Sequence, residues 1–163
     1  MKRTFIPFLL LAAILGTVLG SCGKGKPESS ADFKSELTAE DTTQMLALSE
    51  QCMKALKAGK TDAALAMLYT YDDSTGTVSP ISEDLRREFK NMFMLFPVKD
   101  FKLHYFSFNN QGVNDVKYDI AFMEKQEGIP NTIGFMFNPV RVDGTWYLTV
   151  KRPGQPVDSL RRG

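Results

Sequence analysis

The sequence predicts an α+β fold in which three helices come first and a four-strand antiparallel sheet follows, with the two kinds of element segregated along the chain. Two observations carry this reading. Apolar residues recur at helical spacing up to Phe96 and then at a period of two from Asp100 onward. The turn signals between the later runs are short, as expected for a meander of neighbouring strands. A chain of 163 residues also suits one domain able to bury roughly two-thirds of its unfolded surface.

The first helix is read from LTAEDTTQMLALSEQCMKALKAG. Thr38 or Asp41 can cap its start and Gly59 lies just past its end. Met45, Leu48, Cys52 and Leu56 fall on one face. Cys52 on that face reads as a small buried hydrophobe, not a reactive thiol. Thr61 is expected to cap a second, short helix, DAALAMLYTY, that buries Leu65, Leu68 and Tyr69. A loop, DDSTGTVSP, ends in Ser79 and Pro80, which suit an N-cap and first helical turn. The third helix carries Leu85, Phe89, Met92, Phe93 and Phe96 at helical spacing, and Pro97 ends it. Such a Met and Phe stripe reads as core, not as a cofactor box.

Four runs then alternate: FKLHYFSFNN, VKYDIAFMEK, TIGFMFNPVRV and TWYLTVK. NNQG at 109–112 and Asp143-Gly144 are turn signals, the second a type I′ hairpin. Val116, Tyr118, Ile120 and Phe122 alternate with Lys117, Asp119, Ala121 and Met123, so one face is apolar and one mostly wet. In the first run Phe101, Leu103 and Tyr105 oppose Phe106 and Phe108, and a bulge near Tyr105 would turn both sets inward. Asn138-Pro139 reads as a second bulge or a strand break, because proline cannot serve a central ladder. Phe89, Phe93, Ile120, Phe122 and Trp146 are the expected common core.

The N-terminus has its own chemistry. Lys2 and Arg3 precede an apolar stretch from Phe5 to Val18, shorter than the ~20 residues of a membrane span. Its length suits a secretory leader. Leu19, Gly20, Ser21 and Cys22 then resemble the bacterial lipobox at all four positions. The resemblance implies cleavage after residue 21, lipidation of the Cys22 thiol and attachment to the lipid bilayer. One acyl chain holds only weakly, so two or three are needed for a stable anchor. Residues 23–36, GKGKPESSADFKSE, are too polar to build a core and read as part of a flexible tether over 22–40. The domain is expected over 41–152, with a tail at 153–163. By resemblance to the enteric sorting rule, Gly23 favours the outer membrane, and the lack of a dense acidic run after Cys22 favours its periplasmic face.

Composition narrows the function classes. Twenty basic and nineteen acidic side chains nearly cancel, and losing Lys2 and Arg3 keeps the balance. Nucleic-acid binding calls for a clustered basic surface, so no nucleic-acid partner is expected. With Cys22 lipidated, Cys52 has no disulfide partner. One histidine and one remaining cysteine offer no metal-ligand spacing, and no cofactor motif is present.

Helices followed by a sheet closed by the VDGTWYLTV hairpin resemble the nuclear transport factor 2-like, or cystatin-like, superfamily over about residues 41–152. The chain is similar in particular to small lipoproteins that carry such a domain in Gram-negative anaerobes. The resemblance implies a strongly curved sheet that forms a cone with the helices, whose mouth holds a ligand or active site in some members. Isomerases and dehydratases of the superfamily place an Asp or His base and a Tyr or Asp donor inside it. The candidates here are His104, Tyr105, Tyr118, Tyr69 and Asp119, with His104 as the base to suspect. No second titratable group can be set beside His104 from sequence. The reading is therefore a non-catalytic module that binds an envelope protein or a small apolar ligand. An enzyme using His104 is the alternative. The expected pocket lining is Tyr69, His104, Tyr105, Tyr118 and Phe135, and the phenylalanines within 89–137 are expected to supply the apolar surface.

Overall fold

Residues 30–150 are described by a computed structural model. Leu19, Gly20, Ser21 and Cys22, the rest of the leader and the tail from 153 lie outside the described residues. The elements are α1 (Ser30–Glu36), α2 (Ala39–Lys57), α3 (Thr61–Leu65), β1 (Leu68–Asp72), β2 (Thr77–Pro80), α4 (Glu83–Leu95), β3 (Asp100–Phe108), β4 (Asn114–Ala121), β5 (Thr132–Val142) and β6 (Thr145–Val150). The class is α+β, as expected. The strands form one open mixed sheet in the order β2-β1-β6-β5-β4-β3. Among the described residues, four helices and six strands replace the expected three and four, and the sheet is not wholly antiparallel.

The added strands come from the segment read as a helix running to Tyr71. Helix α3 stops at Leu65, and Leu68–Asp72 pairs in parallel with β6 through Leu68↔Leu148 and Tyr69↔Thr149. Its other edge pairs antiparallel with Thr77–Pro80, so the supposed loop is the second arm of a hairpin. A pairing with residues 80 positions away overrode the local period. Ser82, not Ser79, caps α4, its Oγ accepting the Leu85 amide. Pro80 instead ends the edge strand β2, where a missing N–H interrupts no further ladder.

Helix α2 begins with a capping box. Thr38 Oγ1 accepts the Asp41 amide at 3.1 Å, and Asp41 Oδ2 accepts the Thr38 amide at 3.0 Å. Its buried side chains are Met45, Ser49, Cys52, Met53 and Leu56, with Asp41 at the start. The helical face against the sheet is thus close to the expected one, with Leu48 only half-buried at its flank. Order also begins earlier than expected. Ser30–Glu36, read as tether, forms α1, and Phe33 is only 4% exposed.

The central strands follow the alternation. Val116, Tyr118 and Ile120 are buried, while Lys117 and Asp119 lie on the other face of β4. The β3–β4 register shifts between Leu103 and Tyr105, placing a bulge at His104. Before it, Phe101 and Leu103 oppose Ile120 and Tyr118; after it, Phe106 and Phe108 oppose Val116 and Asn114. Both phenylalanine sets therefore share the helix-facing side. Tyr105 does not join them, because it opposes Lys117 on the far face. At the other hairpin, Asp143 and Gly144 have φ of 49° and 76°, the positive pair a type I′ turn needs.

Asn138-Pro139 neither bulges nor breaks β5, which runs on against β6 through Pro139↔Leu148. The β4–β5 ladder does end at Val116↔Phe137. Beyond it, side-chain amides take over. Asn138 Oδ1 accepts the Asn114 amide at 2.7 Å, and Asn114 Nδ2 donates to the Pro139 carbonyl at 2.7 Å. The expected core is met in part. Phe93 and Ile120 are buried and Phe89 and Trp146 pack half-buried against the cluster. Phe122 lies past the end of β4 against Phe96, ring centroids 5.1 Å apart, and does not meet Trp146's group.

Candidate functional site

The sheet has two unlike faces, and the expected site residues divide between them. On the face away from the helices, His104 Nδ1 lies 2.8 Å from Asp119 Oδ2. Tyr105 packs edge-on to the His104 ring at 5.7 Å, and Lys117 Nζ sits 6.0 Å over the Tyr105 ring. His104 thus has the acidic neighbour that sequence could not place. The pair is open to solvent, with about half of the His104 side chain exposed, and lies outside the helix–sheet interior. The bulge at His104 is the cause, since one extra residue sends Tyr105 to the far side.

Tyr69 falls on that same face, edge-on to Tyr147 at 5.2 Å. Phe135 is buried in the core, with Phe93 and Phe137 at centroid distances of 5.4 and 4.9 Å. Of the five expected lining residues, Tyr118 borders an apolar recess between helix and sheet.

That recess is a groove of about 510 Å³ between α2 and the edge strand β3. Helix α2 supplies Thr43, Leu46, Ala47 and Glu50 to one wall, and Phe101 and Leu103 of β3 form the other. Tyr118 closes the floor. Its side chain is buried, its ring lies 5.7 Å edge-on from Phe101, and its hydroxyl is 2.8 Å from Ser49 Oγ. Ser49 in turn donates to the Leu46 carbonyl at 2.9 Å. Burial pushes the Tyr118 hydroxyl above its ordinary pKa, with Ser49 opposing and the Glu50 charge adding, so the phenol stays protonated at neutral pH. Glu50 at the rim is paired with Lys54 at 3.0 Å.

Sequence reasoning missed most of this site. Thr43, Ala47 and Glu50 sit on the flank of α2, beside the buried stripe and not in it, where no period marks them. Phe101 and Leu103 were visible as strand residues. Only the pairing order, which leaves β3 at the edge, makes them a wall. Cys52 is fully buried, its Sγ 3.6 Å from the Ala64 carbonyl, and desolvation pushes the thiol up to about 12. Among the described residues, no three His, Cys, Asp or Glu side chains are placed to hold a metal ion. No helix among them is long and apolar enough to cross a membrane.

No family model, no curated protein and no solved structure matches this chain.

Proposed function

We propose that this chain is a lipid-anchored envelope protein whose cystatin-like domain binds a small apolar ligand without turning it over. The observation that carries the reading is the groove between α2 and β3: Leu46, Ala47, Phe101 and Leu103 give it an apolar body, and few polar groups interrupt them. Of its lining groups, the Glu50 carboxylate is paired with Lys54 at 3.0 Å and the Tyr118 hydroxyl is engaged by Ser49 at 2.8 Å, while the one histidine lies on the opposite face of the sheet. Anchoring comes from Cys22, with the outer membrane and its periplasmic face as the location. A protein partner is the second reading, favoured by the position of β3 at the end of the strand order among the described residues, beside the same groove.

The test is a thermal-shift screen of the full-length chain against metabolites, with a pulldown against envelope proteins. A ligand that raises the melting temperature, with the shift abolished by Ala47→Trp, supports the groove. A substrate consumed at a rate that collapses in His104→Ala overturns the non-catalytic reading.

A further inference from the structure

The hydroxyls around the groove point their protons away from it. A serine hydroxyl carries one proton, and Ser49 donates its own to the Leu46 carbonyl, which can only accept. The 2.8 Å contact between Ser49 and Tyr118 therefore has one direction: Tyr118 donates and Ser49 accepts. Thr43 repeats the arrangement, its hydroxyl donating to the Ala39 carbonyl at 2.9 Å. The remaining polar lining residue, Glu50, is a carboxylate with acceptors alone, and Lys54 engages its Oε1 from outside the lining. Every polar side chain that lines the groove thus offers lone pairs and withholds protons.

We propose that the groove selects apolar molecules whose polar head is a hydrogen-bond donor, a protonated amine above all, and rejects carboxylates of the same shape. This rests on the groove being a ligand site. An ammonium head gains charge-assisted hydrogen bonds from Glu50 and the Tyr118 oxygen. A carboxylate head sets lone pairs against lone pairs and adds a like charge beside Glu50. The same polarity separates Tyr118 from an oxyanion-stabilising role, which needs donors aimed at the reacting oxygen.

Three ligands with one body and different heads test this: adamantylmethylamine, adamantylmethanol and adamantanecarboxylate. Each is titrated calorimetrically at pH 7 into the full-length chain in lipid nanodiscs, with empty nanodiscs subtracted. The amine is expected to bind about tenfold or more tighter than the carboxylate, with the alcohol between. Glu50→Gln should bring amine and alcohol together, and Ala47→Trp, whose indole fills the groove, should abolish binding of all three. A carboxylate that binds as tightly as the amine, and is still displaced by Ala47→Trp, overturns donor selection but keeps the ligand site. Unchanged discrimination in Glu50→Gln also overturns it. If none of the three binds, or if Ala47→Trp changes nothing, the groove itself is not the site.

Discussion

Trp146 Nε1 donates to Asp41 Oδ1 at 3.1 Å, tying the first turn of α2 to the β5–β6 hairpin across 105 residues of chain. The same carboxylate accepts the Thr38 amide through Oδ2, and Arg141 Nε approaches Oδ1 at 3.6 Å. One side chain therefore caps a helix and docks it on the sheet.

Trp146→Phe keeps much of the ring's packing and removes the donor. We expect it to lower stability by about 1.5–3 kcal/mol, the range for a hydrogen bond to a charged group. Urea unfolding checks this, and a midpoint equal to that of the wild type would sink the docking role.

The Thr38 amide holds the Asp41 carboxyl below the ordinary carboxylate range, with the Thr38 hydroxyl, Trp146 and Arg141 adding to it. A carboxyl depressed in the folded state stabilises fully above its unfolded pKa of about 3.9 and loses that as pH falls through the folded value. The stability gap between wild type and Asp41→Asn should therefore be steady from neutral pH to about pH 5 and shrink below about pH 4. A gap that widens on acidification contradicts the assignment.

Asn138→Ala removes the acceptor of the Asn114 amide and the donor to the Gly112 carbonyl. Both backbone groups then lack a partner where Pro139 cannot supply an N–H. The expected loss is about 2–3 kcal/mol, near the penalty for unsatisfied buried groups. Amide exchange should quicken at Asn114 first; protection unchanged there would mean that the amides do not replace the ladder.

Burial makes the Cys52 thiol inert. In the folded protein the peptide carrying Cys52 should stay unmodified by iodoacetamide at pH 8, and should label fully in denaturing urea, as mass spectrometry can read. Rapid labelling in the folded state would show a thiol the core does not cover.

Cys22→Ala should leave the precursor uncleaved and unlipidated, so that radiolabelled palmitate no longer enters the protein. Processing at the same site in the variant would refute the lipobox.

Much of the architecture was legible because its causes are local. The Thr38–Asp41 box, the alternation of Val116, Tyr118 and Ile120, and the Asp143-Gly144 turn each follow from neighbours in sequence. The segment Leu68–Asp72 was not legible. Its aromatic and β-branched residues suit a strand, but the preceding Ala-rich turn continued a helical pattern, and only pairing with β6 decides between them. For the site, Tyr118 was visible from strand parity, whereas Tyr105 was set inward with Phe101 and Leu103 and parity left the facing of His104 open.

By itself the sequence determined the class, the capping box of α2 and the tight hairpin, all of which depend on residues within a few positions of one another. Tertiary structure decided which face each candidate occupies and where a cavity lies. A single extra residue at His104 inverts the strand's alternation, so Tyr105 leaves the interior while Phe106 and Phe108 enter it. The groove exists because β3 is the sheet's edge and α2 crosses beside it, an arrangement set by long-range pairing among β1, β6, β5 and β4. No local period encodes it, because its two walls come from residues more than fifty positions apart.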